Sequence, residues 1–250
     1  MTSVTVVVPC YDEADRLLPD AFARACREQP GLHFLFVDDG SRDGTLPLLR
    51  ELAAKDPERL AVLALPENRG KAEAVRAGVR EAFARGHDYV GWWDADLATP
   101  LEEIARFVAA LEASPEREIV FGARIQMLGR AIERSALRHY AGRVFATAAS
   151  QTLGLPVYDT QCGAKLLRGT PALAALFDEP FRSGWVFDAE LLARLIRARR
   201  REGGRPAADA VLEVPLLAWR DVPGSKVRPL DFLRALIELV RIRRRYLTRE

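Results

Sequence analysis

Three apolar segments in the first hundred residues each end in a cluster of acidic and polar residues. These segments are residues 4–9, 34–37 and 89–93. Continuous runs of β-branched and aromatic residues bounded by turn residues are typical of strands buried on both faces of a parallel sheet. Segments with helical apolar spacing lie between them, at residues 13–27, 44–54 and 70–85. This alternation predicts an α/β fold with a Rossmann-like, mostly parallel central sheet flanked by helices.

The rest of the chain continues the alternation less regularly. Further strands are predicted at residues 60–65, 119–122 and 211–217, and further helices at 101–113 and 190–201. Thr99 and Pro100 suit the N-cap and first helical position of the helix that follows them. We expect one domain over residues 1–228, followed by a basic amphipathic helix over residues 229–250.

The carboxylates that follow the first three strands would meet at one edge of the sheet, where ligands bind in open α/β folds. They are Asp12 and Glu13, Asp38 and Asp39, and Asp94 and Asp96. Alternation at a strand end places Asp94 and Asp96 on the same side. Such a pair suits Mg²⁺ or Mn²⁺ held against a diphosphate, with Asp96 as the direct ligand and Asp94 near a ribose or the waters of the metal.

Composition narrows the class of protein only slightly. Charged residues make up 29% and hydrophobic residues 49% of the 250 residues, which is ordinary for a globular protein. Three cysteines without a CxxC pair and three scattered histidines give no readable zinc site, and a reducing cytoplasm is the default location. The chain starts with a strand-like segment, so we expect no signal peptide.

An ordered set of motifs resembles family-2 glycosyltransferases with the GT-A fold. The motifs of the first half are residues 9–13 (PCYDE), 37–45 (VDDGSRDGT), 68–71 (NRGK) and 94–96 (DAD). Residues 159–166 (DTQCGAKL), 185–191 (WVFDAEL) and 219–226 (WRDVPGSK) are similar to the branch of dolichyl-phosphate β-glucosyltransferases and polyprenyl-phosphate sugar synthases. The resemblance covers residues 4 to 228. Asp12 is a mild departure, because many relatives have Asn at this position.

The resemblance implies roles for residues along the whole set. Asp39, beside Asp38, would accept the imide N–H of the base. The nucleoside pocket would be lined by Pro9, Tyr11 and Glu13. The sugar would lie near Asp159, Gln161, Lys165, Trp185 and Asp188, and Ser225 and Lys226 would close over the diphosphate.

Basic residues supply candidate anion contacts. Lys71 opens a helix whose N-terminus favours a diphosphate. Arg124, Arg134 and Arg138 could hold the phosphates of donor and acceptor through bidentate guanidinium contacts, and Arg124 also follows a strand end. Scattered arginines on a solvent-facing helix are the competing interpretation for each of these three.

The resemblance implies an inverting enzyme that moves a hexose from a nucleotide-sugar to a polyprenyl or dolichyl phosphate. A lipid phosphate is already ionised and needs no general base, so catalysis would consist of positioning and electrostatic stabilisation. UDP-glucose is the predicted donor. GDP-mannose as donor and a polysaccharide as acceptor are the alternatives, and a catalytically inactive membrane-surface protein is a distant one.

Other classes of protein fit the motifs poorly. The turn after the first strand is acidic and lacks the G-x-G-x-x-G of a dinucleotide-binding oxidoreductase. A nucleotidyltransferase shares the Asp-x-Asp pair but usually has a Gly-rich basic loop at that turn. Leu65 stands where a P-loop would need glycine, which excludes that class of NTPase. No signal points to nucleic acid as a partner.

The C-terminal segment predicts contact with a membrane surface. Residues 226–250 contain eight Lys or Arg residues against three acidic residues, and no apolar stretch in the chain reaches the length of a spanning helix. Leu233, Leu236, Ile237 and Val240 fall on one helical stripe among these charges. We expect a cytoplasmic protein that is peripheral at the cytoplasmic face of the membrane; the alternative is a helix that packs on the core.

Overall fold

The computed structural model describes residues 2–133, 136–203, 205–222 and 229–248. The strands in this part of the chain are β1 (Val4–Cys10), β2 (Leu32–Asp38), β3 (Leu60–Ala64), β4 (Tyr89–Trp92), β5 (Ile119–Ala123), β6 (Ala131–Glu133), β7 (Lys165–Arg168), β8 (Val211–Pro215) and β9 (Ala218–Arg220). The helices are α1 (Pro19–Glu28), α2 (Thr45–Ala54), α3 (Lys71–Ala84), α4 (Glu103–Ala113), α5 (Ala136–Leu153), α6 (Pro171–Ala174), α7 (Phe187–Glu202), α8 (Ala207–Ala210) and α9 (Pro229–Ile242). A 3₁₀ turn (Ala175–Phe177) follows α6, and a π turn (Arg243–Leu247) follows α9.

The central sheet has the strand order β3-β2-β1-β4-β7-β5-β8, and β6 pairs with β9 in a separate ribbon. β1 pairs in parallel with both β2 and β4, so the three acidic clusters leave the sheet at the same edge. β7 runs antiparallel between β4 and β5. The prediction of a mostly parallel sheet is confirmed. β7 was missed because its four residues begin and end with a charged side chain and show no apolar run.

Alternation along the strands divides the core into two layers. Val6 of β1 and Phe34 of β2 face the layer that contains α1, α2 and α4. Val7 and Leu35 face the opposite layer, which contains α3, α5, α7 and α9. The period-2 pattern of the strands therefore covers both faces of the sheet with helices, as a buried parallel sheet requires.

Three predicted helix starts differ from the structure by two residues or more. The first helix begins at Pro19 rather than at residue 13, because side chains of the β2–α2 loop hold the N–H groups of residues 12–14 in a loop, and Pro19 suits the first helical turn. The turn after Pro100 closes with bonds to the third preceding residue, so regular α4 starts only at Glu103. Helix α7 begins at Phe187, three residues earlier than predicted.

The inner face of α9 belongs to the same core as α5 and α7. Ala235, Leu239 and Ile242 are almost fully buried there, as is Tyr246 of the π turn. The domain boundary that we placed at residue 228 remains a prediction, and the helix after it shares its packing with the preceding helices.

Candidate active site

The loop after β4 carries the Asp-x-Asp pair. The Asp94 Oδ1 atom lies 2.5 Å from the Lys71 Nζ atom, in an ion pair that joins this loop to the start of α3. The desolvation of Asp94 disfavours its charge, but the ammonium group of Lys71 outweighs it and lowers the pKa of the carboxyl. The other face of the Asp94 carboxylate lies against Gly163, where an added methyl group would be 1.9 Å from Oδ2. Gly163 therefore allows the 159–166 segment to approach the acidic loop closely.

Asp96 has a different environment. Its Oδ1 atom accepts the N–H of Ala98 at 3.0 Å, which shapes the loop together with the left-handed backbone of Leu97 (φ +51°). Burial, and secondly the negative charge of Asp94, raise the pKa of Asp96. A cation beside the pair would relieve both effects. In the described ranges no group of three or more His, Cys, Asp or Glu side chains is arranged to hold a metal. Oxygens of a substrate or of water would therefore have to complete the shell of a divalent ion bound here.

The β1–α1 and β2–α2 loops are fastened to each other. The Asp12 Oδ1 atom accepts the N–H of Arg42 at 2.8 Å, and Thr45 Oγ1 accepts the N–H of Glu13 at 2.8 Å. The Glu13 carboxylate also pairs with Arg16 at 2.6 Å. Pro9, near the end of β1, and Tyr11, at the start of the loop, are both half-buried. The predicted nucleoside-pocket residues thus lie at the end of β1 and on the loop that follows it.

Asp38 and Asp39 are both buried at the end of β2. The two Asp39 oxygens accept the N–H groups of Arg69 and Gly70, each at 2.8 Å. The carboxylate therefore fixes the start of α3, where Gly70 has φ +88°. The Asp38 Oδ2 atom accepts the N–H of Ser41 at 3.3 Å, whereas its buried Oδ1 atom has no hydrogen-bond partner among the described residues. The predicted base contact of Asp39 remains a prediction.

Arg124 and Asp159 form a bidentate pair. The Nε–Oδ2 and Nη2–Oδ1 distances are 2.6 and 2.8 Å, and the Arg124 guanidinium lies 5.4 Å from the ring centre of Trp219. Burial disfavours the charge of Arg124, but Asp159 more than compensates and raises the pKa of the guanidinium. Glu213 of β8 accepts the N–H groups of Tyr158 and Asp159, each at 2.7 Å, and so holds the loop that carries Asp159. Sequence reasoning missed Glu213, since a lone acid within a strand gives no site signal.

Lys165 and Asp188 form a second, more deeply buried pair. The Lys165 Nζ atom lies 2.9 Å from Asp188 Oδ1, and its side chain is fully buried against the rings of Trp92 and Phe121. Lys165 also donates to the carbonyl of Cys162. Burial outweighs the attraction of Lys165 and raises the pKa of Asp188. Lys165 thus anchors the 159–166 segment in the core, and Gly163 of the same segment lies against Asp94.

Replacing Lys165 with Met is expected to lower the free energy of unfolding by about 3–5 kcal/mol, because Asp188 would remain buried without its partner. Urea denaturation followed by circular dichroism measures this loss. The double variant Lys165→Met/Asp188→Asn should regain part of it, and Lys55→Met, at an exposed position, serves as the control. Equal effects of Lys165→Met and Lys55→Met would contradict a structural role of the buried pair.

The remaining predicted site residues differ in how far the structure describes them. Gln161 is half-buried and donates its N–H to Asp159 Oδ1 at 3.2 Å. The Trp185 side chain is 42% exposed just before α7. Arg134, Ser225 and Lys226 lie outside the described residues, as does the side chain of Arg138 on α5. The described contacts form a continuous path from Asp39 through Lys71 and Asp94 to the 159–166 segment.

A cleft of about 430 Å³ borders the Asp-x-Asp loop on its other side. It lies between α1, residues 97–102 and the β6–β9 ribbon, and it shares Leu97 and Ala98 with the acidic loop. None of the predicted site residues lines it. The predicted site residues therefore lie at the sheet edge, and not in this cleft.

A mostly parallel sheet with this strand order, ending in an Asp-x-Asp loop beside a helix N-terminus, defines the GT-A class of glycosyltransferases. The chain belongs to glycosyl transferase family 2, whose sequence profile matches residues 5–171. It is accordingly a glycosyltransferase, and the predicted family is confirmed.

Individual relatives agree with this assignment. A dolichyl-phosphate beta-glucosyltransferase of Trichomonas vaginalis is 31% identical over 95% of this chain and 70% of its own length. The polyprenol monophosphomannose synthase of Mycolicibacterium smegmatis is 31% identical over 91% of this chain and 83% of its own length. Glucosyl-3-phosphoglycerate synthase from Mycobacterium tuberculosis, solved with Mn²⁺, UDP-glucose and phosphoglyceric acid, superposes with a TM-score of 0.65. That likeness, at 20% identity over 96% of this chain and 78% of the other, shows the fold.

Proposed function

We propose that this glycosyltransferase moves a glucosyl group from UDP-glucose to a polyprenyl or dolichyl phosphate with inversion at the anomeric carbon. One observation carries the proposal: the predicted donor-binding residues are in contact at one edge of the sheet. Asp39 binds the start of α3, Lys71 pairs with Asp94, and Asp94 lies against the 159–166 segment. Relatives in Trichomonas vaginalis, yeast and mouse named dolichyl-phosphate beta-glucosyltransferases support the sugar and the acceptor.

The donor would bind against positive groups at the start of α3. The dipole of this helix N-terminus and the nearby Lys71 ammonium favour the diphosphate. Asp96, with Asp94, would hold Mg²⁺ or Mn²⁺, and the metal when bound would supply an electrophile for the departing nucleoside diphosphate. The Arg124–Asp159 pair engages Nε and Nη2, which leaves Nη1, among the described contacts, for a phosphate oxygen.

The ion pairing of three carboxylates near the site supports a phosphate group as the acceptor. A hydroxyl acceptor would need a general base. Asp159 is paired with Arg124, Asp188 is paired with Lys165 and only 8% exposed, and Asp94 is paired with Lys71. A phosphate monoester, with a second pKa of about 6, is already nucleophilic at neutral pH without such a base. The polysaccharide acceptor is therefore the less favoured candidate. GDP-mannose is the less favoured donor, because the dolichyl-phosphate relatives named above are beta-glucosyltransferases.

A panel of nucleotide-sugars tests this function. The purified protein would be incubated with Mn²⁺ and polyprenyl phosphate, and release of UDP or GDP would be measured together with the lipid-linked sugar. We expect UDP-glucose to give the highest turnover, and only when the lipid phosphate is present. Higher turnover with GDP-mannose, or transfer to a polyprenol that lacks the phosphate, would contradict the proposed donor or acceptor.

We also infer a peripheral location at the cytoplasmic face of the membrane, where this acceptor would be reached. Among the described residues, no helix is long and apolar enough to cross a bilayer. The outer face of α9 exposes three apolar side chains, Leu233, Ile237 and Val240, opposite its buried face. Exposed arginines flank this stripe at positions 234, 241, 244 and 245. An apolar stripe beside clustered cations suits the surface of an anionic bilayer.

Replacing Ile237 with Asp should reduce binding to anionic vesicles about tenfold or more, because a large side chain no longer enters the bilayer. Flotation with phosphatidylglycerol-containing vesicles, compared with phosphatidylcholine alone, measures the change. Leu18→Asp is the matched control, since Leu18 is 49% and Ile237 47% exposed and Leu18 lies next to α1. Removal of residues 229–250 is a poor test, because it would also remove core residues. Equal flotation of Ile237→Asp and the native protein would argue against membrane binding through the exposed apolar stripe of α9.

A further inference from the structure

The loop that carries Asp159, between α5 and β7, is bound by a side chain of the central sheet. Glu213 lies in β8, where it pairs in register with Phe121 of β5. Its Oε2 atom accepts the N–H of Tyr158 and its Oε1 atom accepts the N–H of Asp159, each at 2.7 Å. One carboxylate therefore holds two consecutive main-chain groups, with one oxygen for each. Residues 157–160 are named here the Asp159 loop.

Arg143 of α5 holds the same loop through two further contacts. Its Nη1 atom donates to the carbonyl of Tyr158 at 3.0 Å, and its guanidinium carbon lies 3.6 Å from the centre of the Tyr158 ring. Burial raises the pKa of Glu213 overall, and the two bound N–H groups and the charge of Arg143 oppose this rise. Arg143 therefore binds the loop and also favours the ionised form of Glu213, which is the form that accepts both N–H groups.

The Asp159 loop determines in turn how Arg124 is held. Besides the Nε and Nη2 atoms, Asp159 also accepts the main-chain N–H of Arg124, at 3.1 Å to Oδ2. The same carboxylate thus binds both the backbone and the guanidinium of Arg124. An arginine side chain has many rotamers, and one that is already fixed by a carboxylate does not have to be ordered when a phosphate binds. The orientation of Arg124 therefore depends on where the loop places Asp159.

We propose that Glu213 and Arg143 are positioning residues of the candidate site: they fix the Asp159 loop, and Asp159 holds Arg124 in the orientation in which it binds a phosphate group. The phosphate contact of Arg124 rests on the proposed function, whereas the hold on the loop does not. The two positioning residues lie on different elements, β8 and α5. The packing of these elements around the loop therefore sets the position of Arg124, and neither residue needs to contact the substrate.

Hydrogen–deuterium exchange, followed by mass spectrometry, tests the hold on the loop without any substrate. Glu213→Gln replaces one acceptor oxygen with an NH₂ donor, so one of the two N–H bonds must be lost. The peptide that contains Tyr158 and Asp159 should then exchange about tenfold faster. Glu118→Gln is the matched control, because Glu118 is also a half-buried glutamate, and its partner is Arg199 rather than the Asp159 loop.

Arg143 provides a second variant for the same measurement. Arg143→Ala removes both the bond to the Tyr158 carbonyl and the contact with its ring, so exchange in the loop should again become faster. Arg143→Lys keeps the positive charge and a donor, and its exchange should stay closer to that of the native protein. Circular dichroism checks that each variant is folded. Native exchange rates in both Glu213→Gln and Arg143→Ala would overturn the hold on the loop.

A double-mutant cycle tests whether Glu213 acts through Arg124. The kcat/KM for transfer from UDP-glucose to polyprenyl phosphate should fall about tenfold in Glu213→Gln. In an Arg124→Lys background, which has already lost the bidentate geometry, the same change should cost less than about twofold. The same fold-loss in both backgrounds would overturn the positioning role. Failure of the native protein to use polyprenyl phosphate would refute the proposed function, while the exchange measurement would still decide the hold on the loop.

Discussion

Asp96→Asn is expected to lower kcat about a thousandfold, the loss seen when a key electrostatic contact to a transition state is removed. The substitution keeps the volume of the side chain and its bond to Ala98 N, but it removes the charge that a divalent metal requires. Because Asp94 already neutralises Lys71, it cannot take over the role without losing that partner. The fall in kcat should therefore be large even at saturating Mn²⁺.

Two measurements examine the role of Asp96. The dependence of kcat on Mn²⁺ concentration should weaken in the variant, and calorimetry should show that Mn²⁺ no longer strengthens UDP binding. Asp20→Asn, at an exposed position on α1, is the control for the loss of one negative charge. Near-native turnover of Asp96→Asn, or of the native enzyme in excess EDTA, would refute the metal role.

Gly163→Ala is expected to lower kcat about a hundredfold, although it changes no polar group. The added methyl group would lie 1.9 Å from Asp94 Oδ2 and 2.2 Å from its carboxyl carbon, so the carboxylate would have to move. Displacement of Asp94 would break its contact with Lys71 and shift the metal-binding loop, while overpacking would cost about 1–3 kcal/mol of stability. Enzyme kinetics and urea denaturation measure the two effects separately.

Gly44→Ala is the matched control for that substitution. The backbone of Gly44 has φ −76°, and the nearest atom to an added methyl group is 3.7 Å away, which is ordinary contact. We expect native kcat for this control. Native kcat for Gly163→Ala would mean that Asp94 is not held by the 159–166 segment, and that its position is set by Lys71 alone.

The sequence by itself predicted the sheet edge at which the chemistry lies. Apolar runs such as Val4–Cys10 must be buried on both faces, and in a parallel sheet their carboxyl ends meet at one edge, so the positions of Asp39, Asp94 and Asp96 followed from local pattern alone. The family resemblance added expected roles for these residues. These roles stay predictions, since contacts within the chain do not test ligand binding.

The partners of the charged residues were decided only by the tertiary structure. Lys165 was predicted beside the sugar, but it lies in an unpredicted antiparallel strand where burial requires a partner, and Asp188 provides it. Arg124 and Asp159 were assigned to different ligands, and only the structure shows that they pair with each other. Glu213 gave no sequence signal, because its role depends on which distant N–H groups it meets. Glu190 lies in the predicted 185–191 motif, but the sequence did not show that it accepts the N–H group of Ser183.

Helix α9 illustrates the same division. Its sequence shows apolar residues and arginines in one helix, and the spacing alone allowed either a membrane surface or packing on the core. The fold uses both faces: Ala235 and Leu239 enter the core, while Leu233 and Ile237 remain exposed. Periodicity determines which residues share a face, since it is a local property of the helix. Which face is buried depends on the helices that pack against it, and only the tertiary structure brings those together.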